Sequence, residues 1–172
     1  MASQKDLDSA YMDMAQRWGL LSTARRKKVG CLIVKGGTII SDGYNGTPKG
    51  FDNNCETEGL GDTLYTKPEV LHAESNAITK LAKSTQSSDG ATMYITISPC
   101  VDCSKLIIQS GISRVVYGEL YRDDEGIKLL KKANIQVGKH GNSISVDVSQ
   151  SGIEDSIQEA TQGVIRHVKS IG

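Results

Sequence analysis

The sequence predicts an α/β domain, and three observations support that class. From residue 92 onward, short runs rich in β-branched residues alternate with segments whose apolar residues follow a helical period. Two earlier β-rich runs are separated only by Gly36 and Gly37, which is the signal of a hairpin. The chain has 172 residues, of which 38% are hydrophobic, and this is enough for a single core. We therefore expect one domain over residues 1–172.

The first predicted elements are a helix, the hairpin and a long connection. A helix is predicted over residues 7–18, where apolar side chains recur on one helix face: Leu7, Tyr11, Met14, Ala15 and Trp18. The hairpin strands are predicted over residues 28–35 and 38–44. Residues 45–68 are rich in Gly, Asn, Asp and Thr and show no sustained period. A connection of this length is usually functional or disordered, and we expect a functional loop.

The following segments predict alternating helices and strands. The predicted helices cover residues 72–83, 101–109 and 126–133, and the predicted strands cover residues 92–97, 114–117 and 135–137. Because a helix connects the last two of these strands, we expect them to be parallel and joined by a right-handed crossover.

A C-terminal strand and helix extension over about residues 138–172 follows this core, which covers about residues 7–137. The extension carries a predicted strand at 143–148 and then an amphipathic helix that begins with a capping-box pattern, Ser151 to Glu154. The helix needs a surface to pack on, either the core of its own chain or a neighbouring subunit.

Composition excludes several classes of partner. Lys plus Arg and Asp plus Glu both number 20, so there is no positive field to hold nucleic acid. No apolar run approaches the roughly 18 residues that cross a bilayer, and the start MASQKDLD is unlike a signal peptide. We expect a cytoplasmic protein with no membrane partner. In that compartment cysteines are thiols or metal ligands rather than disulfides, and there are four: Cys31, Cys55, Cys100 and Cys103.

Two short segments carry the candidate chemistry, His72-Ala73-Glu74 and Pro99-Cys100-Val101-Asp102-Cys103. Each lies at the predicted start of a helix, and such starts gather at the carboxyl ends of strands in an α/β sheet. His72, Cys100 and Cys103 would give a zinc ion three ligands and leave the fourth tetrahedral position to water, as in a catalytic site. Glu74 is too near His72 to be an easy fourth ligand, but it can reach that water and act as the proton shuttle. Attack by this water at an amine-bearing ring carbon would then release ammonia.

Other interpretations of these segments stay open on the residues alone. A single CxxC is also typical of a redox pair or of half a structural zinc knuckle. The His-Ala-Glu and Pro-Cys-x-x-Cys segments in this order, with a helix and a strand between them, match the signature of zinc deaminases.

Three segments extend the match: GYNGTPKG at 43–50, HAESNAI at 72–78 and MYITISPCVDCSKLIIQSGI at 93–112. In these segments the chain resembles the deoxycytidylate deaminases of the cytidine deaminase superfamily. The resemblance implies a three-layer α/β/α fold with a five-stranded mixed sheet and one catalytic Zn²⁺ per chain. It implies hydrolytic deamination of dCMP to dUMP for thymidylate synthesis. It also implies a hexamer that dCTP activates and dTTP inhibits.

The resemblance also suggests substrate residues. Asn45 lies in a Tyr-Asn-Gly turn and would bind the nucleoside sugar, although such an asparagine also suits a simple turn. Tyr121 would pack on the pyrimidine, and a merely packed tyrosine is the alternative. Arg26 would bind the phosphate. It lies in a basic run, and the alternative is that this run is simply a solvated surface. Ser98 is a further substrate-binding candidate.

A regulatory site is expected near residues 43–50. Glycines there let the backbone approach a ligand, and backbone N–H groups can cradle phosphates. A deoxynucleoside triphosphate, together with Mg²⁺, would bind there and shift a two-state equilibrium; a mobile surface loop is the alternative. The candidate residues are Gly43, Asn45, Gly46, Lys49 and Gly50.

The remaining cysteines and the competing functions complete the expectations. Some relatives hold a second zinc near the long loop, but no Cys or His lies between Cys55 and His72, so only one zinc is expected. Cys31 is expected to be a small core residue.

The alternatives to dCMP deamination are deamination of cytidine, guanine or tRNA adenosine, and a non-catalytic protein with structural zinc. The Tyr-Asn-Gly turn favours the nucleotide enzyme, and Glu74 argues against the non-catalytic protein.

Overall fold

The computed structural model describes residues 1–141, and in this range helices cover both faces of a sheet. The strands are β1 (Gly30–Lys35), β2 (Thr38–Tyr44), β3 (Glu56–Glu58), β4 (Leu64–Thr66), β5 (Thr92–Ile97), β6 (Arg114–Glu119) and β7 (Gln136–Lys139). The helices are α1 (Gln4–Gly19), α2 (Ala73–Leu81), α3 (Val101–Gln109) and α4 (Glu125–Lys132), and a 3-10 turn covers Leu60–Asp62.

The main sheet has five strands in the order β2-β1-β5-β6-β7. β1 is antiparallel to β2 and to β5, whereas β5, β6 and β7 run parallel to one another. The five-stranded mixed sheet and the parallel final pair are therefore confirmed. The hairpin between β1 and β2 is also confirmed. Its turn residues Gly36 and Gly37 have φ values of 57° and 78°, and a two-residue turn with positive φ at both positions matches the twist of the strands.

Side chains that alternate along the strands build the two cores of a three-layer α/β/α domain. On β1, Leu32 and Val34 pack on the α1 side with Met12. Cys31 and Ile33 point to the other side, where α2, α3 and α4 supply Ala77, Ile107 and Leu130. Cys31 is fully buried there, so its predicted place in the core is confirmed.

The interpretation of residues 45–68 as one loop is incomplete. A second, two-stranded sheet lies within it, because β3 pairs antiparallel with β4 and Glu56 lies opposite Thr66. Each strand has only three residues, which is too short for the two-residue alternation that marks a strand in sequence.

The described part of the chain forms one compact unit, Met1–His140. None of its helices combines the length and the apolar character needed to cross a membrane. The predicted strand at 143–148 and the predicted helix that follows it lie outside the described residues.

Candidate active site

The three candidate metal ligands come from the starts of two helices. His72 is the N-cap residue of α2 and Cys100 is the N-cap residue of α3, and both have extended backbone. Cys103 lies in the first turn of α3 and is buried. Because β5 ends at Ile97, Cys100 follows closely from the carboxyl end of a central strand, where ligands bind in α/β sheets. The fold thus brings together two segments that are 28 residues apart in the chain.

The ligand atoms of these side chains meet in a small volume. Sγ of Cys100 lies 3.6 Å and Sγ of Cys103 lies 3.4 Å from Nδ1 of His72. All three atoms lie within 4.8 Å of one another. A tetrahedral zinc with bonds of about 2.3 Å to sulfur and about 2.0–2.1 Å to nitrogen would separate sulfur from nitrogen by about 3.6 Å. The donor set and its spacing therefore fit a zinc ion with one position left for a fourth ligand.

The protein groups alone place negative charge on one of the two sulfurs. Hydrogen bonds with Cys103 and then His72 lower the pKa of Cys100 to about 4. The hydrogen bond to Cys100 raises the pKa of Cys103, and a hydrogen bond to Cys100 also raises the pKa of His72. A divalent cation held by His72, Cys100 and Cys103 would favour the thiolate form of both cysteines.

Glu74 lies in the first turn of α2, two residues after His72, and only 4% of it is exposed. Burial raises the pKa of its carboxyl group. A carboxyl group with a raised pKa gives up and regains a proton more readily near neutral pH, which suits a proton carrier.

A cavity of about 870 Å³ borders His72, Glu74 and Cys100. This volume suits a small-molecule ligand. The cavity is lined by all four predicted substrate residues: Arg26, Asn45, Ser98 and Tyr121. A further part of the wall comes from residues in and beside the β3–β4 hairpin: Cys55, Glu56, Tyr65, Thr66, Lys67 and Pro68.

The amide of Asn45 holds the chain segment that leads into β1. Its Oδ1 accepts a hydrogen bond from the backbone N–H of Val29, and its Nδ2 donates to the carbonyl of Lys27, both at 2.8 Å. An amide can make four hydrogen bonds, so one donor and one acceptor position remain for a ligand. Asn45 therefore braces the wall and also borders the cavity.

Ser98 and Tyr121 belong to one corner of the cavity. Ser98 is 3% exposed, and its Oγ accepts a hydrogen bond of 2.8 Å from the backbone N–H of Tyr121. This bond fastens the segment after β6 to the end of β5. The guanidinium carbon of Arg122 lies 5.3 Å from the centre of the Tyr121 ring, within the range of a cation–π contact.

Four cationic side chains line the cavity, and acids lie beside two of them. Lys27 pairs with Glu119 at 3.3 Å, and both side chains are about 70% exposed. Lys67 pairs with Asp52 at 3.3 Å, with only 16% of the lysine side chain exposed. Both positive charges are therefore already balanced in part by the protein.

The other two cations, Arg26 and Arg122, have no salt bridge within residues 1–141. Arg26 donates a hydrogen bond of 3.0 Å to Oγ1 of Thr66. These two guanidinium groups are the best placed to receive an anionic part of a ligand, because no carboxylate of the described chain competes for them.

The predicted regulatory residues other than Asn45 lie outside the lining of this cavity. Gly43 packs under α2, where a Cβ atom would lie 2.1 Å from the carbonyl oxygen of Ala73. Gly46 pairs with Leu71 through backbone hydrogen bonds.

Sequence patterns did not indicate three charged residues of the cavity wall: Glu56, Lys67 and Arg122. Glu56 and Lys67 lie in the segment that shows no period, so nothing in the pattern separates them from exposed loop residues. The position of Arg122 directly after Tyr121 was the one signal that could have indicated it.

Comparison with known proteins identifies the group to which this arrangement belongs. The family described as the cytidine and deoxycytidylate deaminase zinc-binding region matches residues 5–119. That stretch includes His72, Glu74, Cys100 and Cys103.

Two curated relatives show the extent of the likeness in sequence. Deoxycytidylate deaminase of Saccharomyces cerevisiae is 39% identical over 137 residues, which cover 76% of this chain and 43% of the yeast protein. Deoxycytidylate deaminase of Enterobacteria phage T4 is 36% identical over 149 residues, covering 64% of this chain and 77% of the phage protein. The chain thus spans less than half the length of the yeast relative.

A solved structure shows the same likeness in three dimensions. The dCMP deaminase from the cyanophage S-TIM5, in complex with dCMP and dUMP, superimposes with a TM-score of 0.74. It is 42% identical, and the match covers 81% of this chain and all of that one. Because the family match spans well over half of the sequence and the solved relative shares its fold, the chain belongs to the cytidine and deoxycytidylate deaminase family.

Proposed function

We propose that the chain is a zinc-dependent hydrolase that deaminates dCMP to dUMP and ammonia, and that the dUMP serves thymidylate synthesis. One observation carries this proposal: His72, Cys100 and Cys103 converge beside the buried carboxyl group of Glu74 on one wall of a cavity. The substrate is supported by the S-TIM5 relative, whose structure contains dCMP and dUMP.

The residues of the site divide the chemistry among them. His72, Cys100 and Cys103 would hold a zinc ion, which would lower the pKa of a bound water towards about 7. Glu74 accepts one proton from the attacking water and passes it to ring nitrogen N3 of the base. It then takes the second proton from the new C4 hydroxyl group and delivers it to the departing amine. The C4–O bond forms and the C4–N bond breaks, so one water is consumed and one ammonia leaves.

The remaining wall binds the rest of the nucleotide. The free donor position of the Asn45 amide faces the oxygen of the sugar hydroxyl, and Tyr121 packs on the pyrimidine. Ser98 holds Tyr121 in place through the hydrogen bond to its backbone. Arg26 binds the 5′-phosphate, and Arg122 adds a second positive charge beside it.

The substrate can be tested by following ultraviolet absorbance with dCMP, dCTP, deoxycytidine and CMP in parallel. We expect dCMP to have the highest kcat/KM, because deoxycytidine offers no phosphate to Arg26. Equal rates for dCMP and deoxycytidine would favour a nucleoside deaminase. Full zinc occupancy with no turnover of any of the four would favour the non-catalytic alternative.

We propose in addition that dCTP activates and dTTP inhibits the enzyme, bound with Mg²⁺ near Gly43, Gly46, Lys49 and Gly50. Lys49 and Gly50 are exposed, and Gly50 has a φ of 99°, a conformation that leaves its backbone open to a ligand. A regulator acts only by binding one of two states better, and typical coupling is about 1–3 kcal/mol.

The regulatory proposal predicts the shape of the dCMP saturation curve. We expect a sigmoidal curve alone, a hyperbolic curve with dCTP and depressed rates with dTTP. Lys49→Ala should weaken both effects and leave the rate at saturating dCMP unchanged. Identical curves in the presence and absence of both triphosphates would remove the regulatory site and leave the catalytic proposal intact.

A hexamer, a single domain over residues 1–172 and a cytoplasmic location complete the proposal. Large apolar side chains that are more than half exposed, Leu20 and Leu21 among them, support assembly with other subunits. Within residues 1–141 the four cysteines form no disulfide, which suits a reducing compartment. Sedimentation of the full chain tests the assembly.

A further inference from the structure

Glu56 is a buried carboxylate in the cavity wall, and one of its oxygens lacks a partner. The residue is 2% exposed and lines the cavity. Its Oε1 accepts hydrogen bonds from the backbone N–H groups of Arg25 and Arg26 at 3.1 and 3.2 Å. Within residues 1–141, Oε2 is the one buried side-chain nitrogen or oxygen that receives no hydrogen bond. Native structures nearly always supply a partner to such an atom, so the missing donor needs an explanation.

Glu56 and Asn45 hold neighbouring parts of one segment. Glu56 accepts hydrogen bonds from the backbone N–H groups of Arg25 and Arg26. Asn45 donates a hydrogen bond to the carbonyl of Lys27 and accepts one from the N–H of Val29. Successive Cα atoms are only about 3.8 Å apart, so the two side chains are anchored within a few residues of each other. Both line the cavity, and they therefore border the same portion of a bound ligand.

The chemistry of a pyrimidine deoxynucleotide leaves one donor for Oε2. The exocyclic amine must lie beside Glu74 and the His72, Cys100 and Cys103 cluster, where it reacts. The 5′-phosphate is repelled by a carboxylate and attracted by the guanidinium groups of Arg26 and Arg122, which form no salt bridge within residues 1–141. The 3′-hydroxyl remains, and its O–H donates well to a carboxylate oxygen.

We infer that Glu56 accepts a hydrogen bond from the 3′-hydroxyl of the bound nucleotide and selects for nucleotides that carry this hydroxyl. The inference rests on the proposed function. Glu56 has two tasks, since Oε1 fixes the backbone of the basic segment and Oε2 binds the sugar.

The first test uses the wild-type full chain and two substrates, dCMP and 2′,3′-dideoxy-CMP, which lacks the 3′-hydroxyl. A hydrogen bond to a charged group predicts a kcat/KM that is about 10- to 100-fold lower for the dideoxy compound. Equal values for the two substrates would overturn the inference while leaving dCMP deamination intact. If dCMP itself is not turned over, the proposed function fails first.

The second test repeats the pair of substrates with Glu56→Gln. The amide oxygen can still accept the two backbone N–H groups, but the group that faces the sugar becomes a neutral donor. We expect the ratio between dCMP and dideoxy-CMP to fall towards one. The matched control is Glu58→Gln on the same strand, an exposed residue that pairs with Arg25 at 3.0 Å and lies outside the cavity lining; it should keep the wild-type ratio.

A purely structural role for Glu56, or an ordered water that satisfies Oε2, predicts a different outcome. Both substrates would then lose activity equally in Glu56→Gln, and the ratio would stay at its wild-type value. That result would overturn the inference even if the variant were less stable, because the ratio cancels a change in the amount of folded enzyme.

Discussion

The two sides of the candidate active site are built in different ways. On the metal side, His72, Glu74, Cys100 and Cys103 all lie at the starts of α2 and α3, so two helix positions fix all four groups. On the opposite side, single side chains hold the backbone of the segment before β1: Glu56 from the β3–β4 hairpin and Asn45 directly after β2. In the proposed function, the metal side carries the reacting groups and the opposite side recognises the substrate. Variants of the first should change metal content or kcat, and variants of the second should change the preference among substrates.

The largest effect is expected from Cys103→Ala on the metal side. This change removes one of three protein ligands and leaves two, which are too few for a catalytic zinc site. We expect loss of zinc and of measurable deamination. Metal analysis of the purified variant provides the check, with Cys31→Ala as the control because Cys31 is a buried cysteine of the core. Zinc at full occupancy in Cys103→Ala would assign the ligand to another residue.

Glu74→Gln should separate chemistry from metal binding on the same side. The amide keeps the shape of the side chain but cannot carry a proton, and the loss of general acid–base catalysis alone is about 10²–10⁴-fold in kcat. Zinc content should remain at the wild-type level. Near-normal turnover in this variant would remove Glu74 from the mechanism.

The contrast between the two sides also explains why the sequence could predict the residues of the metal side and missed several residues of the opposite side. His72 and Cys100 could be found because helix starts and the CxxC spacing are local patterns, and the order of elements then brings them together. Glu56 and Arg122 have no such pattern. Their place in the cavity depends on two three-residue strands and on contacts such as that of Glu56 with Arg25, 31 positions away. The sheet itself was predictable from short runs of apolar and β-branched residues, because burial on both faces leaves β1 and β5 apolar along most of their length.

Arg26→Ala tests the recognition side. Loss of a charged contact to the phosphate predicts a kcat/KM for dCMP that is about 10- to 100-fold lower, with little change for deoxycytidine. Steady-state assays with both substrates measure this difference. Lys28→Ala is the matched control, since Lys28 is an exposed cation of the same basic run that lies outside the cavity lining. An equal loss on both substrates would place Arg26 in a structural role.

A smaller, pH-dependent effect is expected in the scaffold, away from both sides of the site. Asp8 on α1 forms a two-point salt bridge with Arg114 on β6, with atoms 2.8 and 2.5 Å apart, and hydrogen bonding to Arg114 lowers the pKa of Asp8 to about 2. Because the pKa is lower in the folded state, the contribution to stability is present above about pH 4 and is lost as pH falls towards 2. After allowance for solvent screening, it is roughly 1–2 kcal/mol at neutral pH.

Urea unfolding of wild type and Asp8→Asn at several pH values measures this contribution. The difference in the free energy of unfolding should be largest near pH 7 and should shrink below pH 4. Asp13→Asn, an exposed position on the same helix, should show little difference at any pH. A gap between wild type and Asp8→Asn that widens on acidification would contradict the assignment.

We propose that one zinc ion at His72, Cys100 and Cys103 enables this chain to deaminate dCMP. The most direct measurement adds zinc in steps to metal-free full-length chain and records the rate of dUMP formation at each step. We predict a rate that rises in proportion to bound zinc and reaches its plateau at about one ion per chain, the stoichiometry set by three ligands and one open position. A full rate without zinc, or a plateau near two ions per chain, would contradict the account.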